Sequence, residues 1–106
     1  MLADGDHIVN PLVVIDNLQV HFQARKGLMS SVPVKALDEV SLNLNEGETV
    51  AIVGESGSGK TTLGRSILRL VDPNGGRILF RNENIIALNR LQLSHFRKSV
   101  QGVFQD

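Results

Sequence analysis

Residues 54–61 read Gly54-Glu55-Ser56-Gly57-Ser58-Gly59-Lys60-Thr61. This run matches every fixed position of the pattern G-x-x-x-x-G-K-[ST], a loop whose backbone amides surround the phosphates of a nucleoside triphosphate. Glycines are needed because they let the backbone approach a ligand closely and adopt conformations closed to residues with a Cβ. The lysine is expected to reach the β- and γ-phosphates, and the threonine hydroxyl is expected to bind Mg²⁺.

The residues on both sides of the loop predict a strand before it and a helix after it. The apolar, uncharged run 49–53 predicts a buried strand, and Leu63, Ile67 and Leu70 follow at the i, i+4, i+7 spacing of a helix. The amides of about residues 57–62, with the positive end of the helix dipole, are therefore expected to bind phosphate. A glycine-rich turn that binds nothing is the alternative, and the complete match with both flanks counts against it.

The other loop residues have weaker assignments. Glu55 and Ser56 occupy free positions of the pattern and are expected to shape the loop. Thr62 is expected to contact the α-phosphate through its backbone or hydroxyl. Its hydroxyl is equally suited to capping the first turn of the helix, and the two roles are compatible.

The composition limits the classes of protein to consider. A chain of 106 residues is enough for one small domain. Its 11 basic and 11 acidic residues give zero net charge, which argues against bulk attraction to nucleic acid or anionic lipid. The absence of cysteine excludes disulfides and thiolate metal sites. With no apolar run of about 20 residues and no signal peptide at the start, we expect a soluble, intracellular protein.

Alternating apolar residues and turn residues predict the remaining elements. These are strands over 12–22, 34–45, 77–81 and 99–104, and a helix over 87–98 with Leu88, Leu91 and His95 on one stripe. A loop over 23–33 is expected between the first two strands. Residues 45–48 predict a tight turn between antiparallel strands, and residues 1–11 a loose arm. The basic residues of the second half are expected on solvated faces, with no nucleic acid as a partner.

Over about residues 12–106, the chain resembles the N-terminal part of an ATP-binding-cassette (ABC) ATPase. The resemblance rests on residues 47–63 around the loop, on 18–22 with 34–42, and on Val103-Phe104-Gln105-Asp106, which is similar to the family's Q-loop. Within the family it is most similar to the ATPases of oligopeptide and dipeptide importers. Those typically carry Gly-Glu-Ser-Gly-Ser-Gly-Lys at the loop, a longish insert such as 23–33, and Phe-Gln-Asp at the Q-loop.

The resemblance also implies roles for residues outside the loop. An aromatic at the position of Phe22 stacks on adenine, a small residue at Ala36 lines the adenine pocket, and a glutamine at Gln105 helps to bind Mg²⁺ and water. The alternatives are an ordinary core or edge position for Phe22 and a polar strand end for Gln105. The implied cofactors are ATP and Mg²⁺. The implied partners are a transmembrane permease and a second ATP-binding subunit, on the inner face of the cell membrane.

The expected fold class is α/β, the N-terminal half of an ABC-type P-loop NTPase with an antiparallel β subdomain. Residues 12–48 would form the antiparallel part, and 49–106 the start of a core that needs a parallel sheet with helices on both faces. Such a half-core leaves a sheet edge and an apolar face uncovered. We therefore expect marginal stability, self-association, or the need for a further segment.

The family's signature sequence, catalytic glutamate and switch histidine lie beyond the Q-loop and are absent from these 106 residues. The expected function is that of an ATP-binding subunit, with peptide import as the activity of the full-length protein. The chain alone is expected to bind ATP and to hydrolyse little of it. The alternatives are a non-catalytic nucleotide-binding fragment and a soluble ABC ATPase that acts on DNA or ribosomes.

Overall fold

A four-stranded antiparallel sheet, in the order β2-β1-β3-β4, forms the centre of the molecule. The computed structural model describes residues 11–25, 27, 31–55 and 58–103. Its strands are β1 (Pro11–Arg25), β2 (Ser31–Asn45), β3 (Gly75–Phe80) and β4 (Glu83–Asn84). Its helices are α1 (Lys60–Ile67) and α2 (Arg90–Phe96), and a 3₁₀ turn covers Ile85–Ala87.

The hairpin of β1 and β2 confirms the two strands predicted at 12–22 and 34–45, but both are longer than predicted. Pairing continues from Pro11 opposite Asn45 to Arg25 opposite Ser31. Most of the residues expected in the 23–33 loop therefore belong to strands. Pro33, which indicated a loop, pairs with Gln23. Proline is tolerated there because β2 is an edge strand, on which a missing N–H need not break a ladder.

The core lies where β1 meets β3. Ile15 pairs with Ile78, and both side chains are fully buried together with Leu18. The strand predicted at 77–81 is confirmed as β3, which starts two residues earlier than predicted, at Gly75 opposite Gln19. The antiparallel sheet thus extends well beyond the first 48 residues.

The strand predicted at 49–53 is not formed, and this prediction was wrong. The segment has no regular secondary structure and its side chains are exposed, Val53 to 88%. The turn before it does form, because the Glu48 N–H donates to the Asn45 carbonyl at 3.1 Å. It leads to no second strand, however, so its expected place between antiparallel strands was also wrong. A strand forms only where a neighbour accepts its backbone hydrogen bonds. No parallel pairing exists among the described residues, so 49–53 has no such neighbour there.

Helix α1 confirms the helix predicted after the loop, with Leu63 and Ser66 buried. It ends before Leu70, which lies outside the helix and is 54% exposed, so the i+7 position of the predicted stripe was wrong. Two residues after the end of the helix at Ile67, Arg69 has a left-handed φ of 56°.

Helix α2 is shorter than the predicted 87–98 and buries a different face. Leu88 is buried as predicted, whereas Leu91 is 81% exposed and His95 is also exposed. Phe96 is buried instead, and its ring meets Phe80 edge-on at 5.4 Å between centroids. The predicted strand over 99–104 is absent from its described part, and Phe104 lies outside the described residues.

Two arginines join the helices: Arg97 is exposed, as expected of the basic residues, whereas Arg69 is half-buried, which was not expected. The guanidinium of Arg97 donates to the carbonyls of Leu68 at 3.3 Å and Arg69 at 3.0 Å. The guanidinium of half-buried Arg69 donates to the Leu88 carbonyl at 2.6 Å. These bonds satisfy carbonyls that a helix end leaves unpaired, so α1 and α2 are fixed against each other. None of the helices in the described part of the chain is long and apolar enough to cross a membrane.

Candidate phosphate-binding site

The two ends of the glycine-rich loop lie very close together. A Cβ placed on Gly54 would be 2.6 Å from the Ser58 hydroxyl oxygen, closer than real Cβ atoms approach. The Ser58 N–H also donates to the Glu55 carbonyl at 3.1 Å, which closes a turn. Ser56 and Gly57, between them, lie outside the described residues. A Cβ at position 54 would therefore require the Ser58 side chain to move.

The end of the loop rests on strand β2. Gly59 precedes α1 with a φ of 98°, a left-handed conformation that favours glycine. A Cβ there would be 2.6 Å from the Ala36 carbonyl oxygen and 2.9 Å from Cδ2 of Leu37. The Leu63 N–H donates to the Gly59 carbonyl at 2.8 Å and so begins the helical ladder. Both backbone shape and space thus require glycine at this position.

The contact surface on β2 is a β-bulge. Val20 faces Leu37 while the next residue, His21, faces Lys35, so Ala36 is the extra residue of the bulge. A bulge bends its strand and re-aims the backbone. Here it presents the Ala36 carbonyl to Gly59. Sequence reasoning missed this contact, since no local pattern marks the bulge.

Lys60 and Thr61 open α1 and are both exposed. The Lys60 ammonium donates a hydrogen bond to the Gly54 carbonyl, so its side chain folds back over the loop. The first turn of α1 contains no acidic residue. Its amides have no partners inside the helix and carry the positive end of the helix dipole. This end of α1 is therefore suited to an anion.

A groove of about 780 Å³ lies beside these residues, between α1 and the segment 100–103. Lys60, Thr61 and Arg65 line one side, and Gln101 lies on the other. The segment that leads to Gln105 thus borders the groove, while Gln105 itself lies outside the described residues. Thr62 is half-buried, and its carbonyl accepts a bond from the Ser66 hydroxyl at 2.8 Å.

The described residues contain no group of three or more His, Cys, Asp or Glu side chains that could hold a metal ion. Thr61 is exposed and carries a hydroxyl oxygen. An oxygen of this kind is compatible with Mg²⁺, which keeps several waters and takes further oxygens from substrate phosphates.

Phe22 lies on β1 opposite Val34 and is 45% exposed. Phe22 is thus not a core residue, and its side chain is not fully solvated either. Ala36 is half-buried against the loop. The structure brings Gly54, Ser58 and Lys60 together and seats Gly59 on Ala36. It places Phe22 on the same hairpin as that seat.

The sequence profile of the ABC transporter family matches residues 37–106, which include the whole loop and begin one residue after Ala36. The chain belongs to the ABC transporter family. The match confirms the predicted fold class, the N-terminal part of an ABC-type P-loop NTPase, in which this part of the cassette is an antiparallel sheet with two helices.

Two relatives of this chain are named as import ATP-binding proteins. It is 44% identical over 107 residues to the glutathione import ATP-binding protein GsiA of Escherichia coli K12, covering 99% of this chain and 16% of GsiA. It is 43% identical over 96 residues to a putative peptide import ATP-binding protein of Brucella abortus, covering 91% of this chain and 29% of that protein. The chain thus spans less than a third of these relatives.

Solved structures agree with the cassette assignment. The dimeric bacterial ABC transporter cassette MJ0796 superposes with a TM-score of 0.70 at 31% identity, over 81% of this chain and 35% of that one. A bacterial Atm1-family ABC exporter with ATP bound gives a TM-score of 0.62 at 32% identity, over 82% of this chain and 14% of the exporter.

Proposed function

We propose that this chain is the nucleotide-binding front part of the ATP-binding subunit of an ABC importer for peptides. The observation that carries the proposal is the loop itself, closed at Gly54, seated at Gly59 and followed by an exposed lysine at the start of a helix. The relatives named for peptide and glutathione import support the substrate class, because glutathione is itself a short peptide.

Different residues bind different parts of the nucleotide. The loop 54–59 and the first amides of α1 surround the β- and γ-phosphates, and Lys60 exchanges the Gly54 carbonyl for phosphate oxygens. Thr62 contacts the α-phosphate. Thr61, together with Gln105, would hold Mg²⁺, which would supply neutralisation of the phosphate charge. Phe22 stacks on the base, and Ala36 leaves room for it.

The other components of the transporter and its location are assigned by family. In the full-length protein, a transmembrane permease and a second ATP-binding subunit are the partners, and the subunit works on the inner face of the cell membrane. ATP would close two cassettes around the nucleotide and hydrolysis would separate them. The residues assigned to hydrolysis by resemblance are not among these 106, so this chain alone binds Mg·ATP with little turnover.

Calorimetric titration of Mg·ATP, with turnover assayed on the same sample, tests the proposal. Binding without turnover is the expected result. Lys60→Ala is expected to abolish binding and leave the circular dichroism spectrum unchanged, because Lys60 is exposed and adds no core packing. Lys98→Ala, which removes an exposed lysine near the end of α2, is the matched control and should bind as the parent does. A folded parent chain that fails to bind Mg·ATP would contradict the proposal.

A further inference from the structure

The pairing of β1 with its neighbouring strands changes on both sides just before Phe22. On the β3 side, the last paired residue of β1 is Gln19. On the β2 side, the register shifts between Val20 and His21, where the bulge at Ala36 lies. A bulge disrupts the ladder of hydrogen bonds locally. At His21, which directly precedes Phe22, the neighbouring strands therefore hold the backbone of β1 less firmly than they do earlier in the strand.

Asn74, the residue directly before β3, continues the ladder on that side of β1. Its backbone N–H donates to the Gln19 carbonyl at 2.7 Å. Its side-chain oxygen Oδ1 accepts a hydrogen bond from the His21 N–H at 2.6 Å. Residues two apart in an antiparallel strand direct their backbone groups to the same edge, so Asn74 bonds two successive positions of β1. The side chain of Asn74 thus takes the place of one further strand residue.

We propose that Asn74 is a positioning residue for Phe22 and, through that ring, for the base of the nucleotide. Phe22 is 45% exposed, so core packing does not fix its ring, and the placement of the ring depends on the backbone of β1. The bond from the His21 N–H to Asn74 fixes that backbone one residue earlier. A side chain that is ordered before a ligand arrives loses less conformational freedom on binding. The inference rests on the proposed stacking of Phe22 on the base.

Calorimetric titration with Mg·ATP and with Mg·tripolyphosphate, which has no base, separates positioning of Phe22 from a general effect on the fold. Asn74→Ala removes the Oδ1 acceptor and should lower the affinity for Mg·ATP by about threefold. Its affinity for Mg·tripolyphosphate should stay unchanged, which also shows that the variant is folded. Asn74→Asp keeps an oxygen acceptor at the same place and should bind both ligands as the parent does. Asn43→Ala, at an exposed position of β2, is the matched control and should also leave both affinities unchanged.

A double-mutant comparison then tests whether Asn74 acts through Phe22. In a Phe22→Ala background, Asn74→Ala should not lower the affinity for Mg·ATP any further, because no ring is left to position. Without any ligand, hydrogen exchange at the His21 amide should be faster in Asn74→Ala than in the parent chain and in Asn74→Asp.

Three results would overturn the inference and leave nucleotide binding itself intact. These are an unchanged Mg·ATP affinity in Asn74→Ala, equal losses for the two ligands, and an undiminished effect of Asn74→Ala in the Phe22→Ala background. A Phe22→Ala chain that binds Mg·ATP as the parent does would instead overturn the proposed stacking on the base, and this inference with it.

Discussion

At the scale of single residues, two glycines of the site leave little room for a Cβ atom, but at Gly54 the obstacle is only the Ser58 side chain. Gly59 is the more demanding, because it combines a φ of 98° with backbone contact to Ala36. Position 59 is also where the loop leads into helix α1, so a side chain added there would displace the residues that follow it. These include Lys60, which is expected to hold the phosphates.

Gly59→Ala is expected to lower the free energy of unfolding by about 1–3 kcal/mol, the usual cost of a left-handed residue with a side chain. It should also weaken Mg·ATP binding, because α1 must shift away from β2. Gly64→Ala, in the middle of α1 with open space around it, is the control for stability. It should raise the free energy of unfolding by up to about 1 kcal/mol, since alanine favours helix. Denaturant titration of both variants measures the difference, and a change of the same sign in both would contradict this account.

Phe22→Ala tests the proposed stacking on the base. Base stacking on an aromatic ring contributes about 1–3 kcal/mol, so the affinity for Mg·ATP should fall by about tenfold. The affinity for Mg·tripolyphosphate, which has no base, should stay unchanged. Leu91→Ala, which removes another exposed apolar side chain, is the control. Equal losses for the two ligands would show that Phe22 only supports the loop.

At the scale of elements, local hydrogen bonds set where α2 begins. Asn89 accepts a bond from the Gln92 N–H at 2.9 Å, and the Gln92 side chain accepts one from the Asn89 N–H at 2.9 Å. Asn89→Ala removes this capping box and should cost about 1 kcal/mol. Asn43→Ala, at an exposed position of β2, should change stability much less. Thermal unfolding of the two variants measures the difference, and similar losses would mean that the cap is not what stabilises α2.

The sequence predicted those elements that a local pattern of residues marks. The loop, α1 and the alternating strands β1 and β2 could be read from local pattern, and β3 from its short apolar run. The 49–53 strand could not, because apolar composition indicates burial but cannot supply the neighbour that a strand must bond to. The bulge at Ala36 was equally inaccessible, since it depends on how two strands align.

At the scale of the whole molecule, the centre of the buried core lies in the sheet. Ile15, Leu18 and Ile78 are fully buried at the β1–β3 junction, whereas Val103 is 96% exposed. Ile15→Ala is expected to cost about 2–5 kcal/mol, which threatens the fold of so small a domain. Val103→Ala should be nearly neutral, and denaturant unfolding distinguishes the two. Comparable losses would place the core elsewhere.

The bulge that contacts Gly59 gives the β1–β2 hairpin a role in the site as well as in the fold. The same pair of strands carries Phe22. With Phe22 stacked on the base as proposed, one alignment of two strands would set the distance between the two ends of a bound nucleotide. A slip of one residue would turn Phe22 to the opposite face and withdraw the Ala36 carbonyl from the loop in a single event. Base recognition and phosphate recognition would then fail together, even in a chain whose loop sequence is intact.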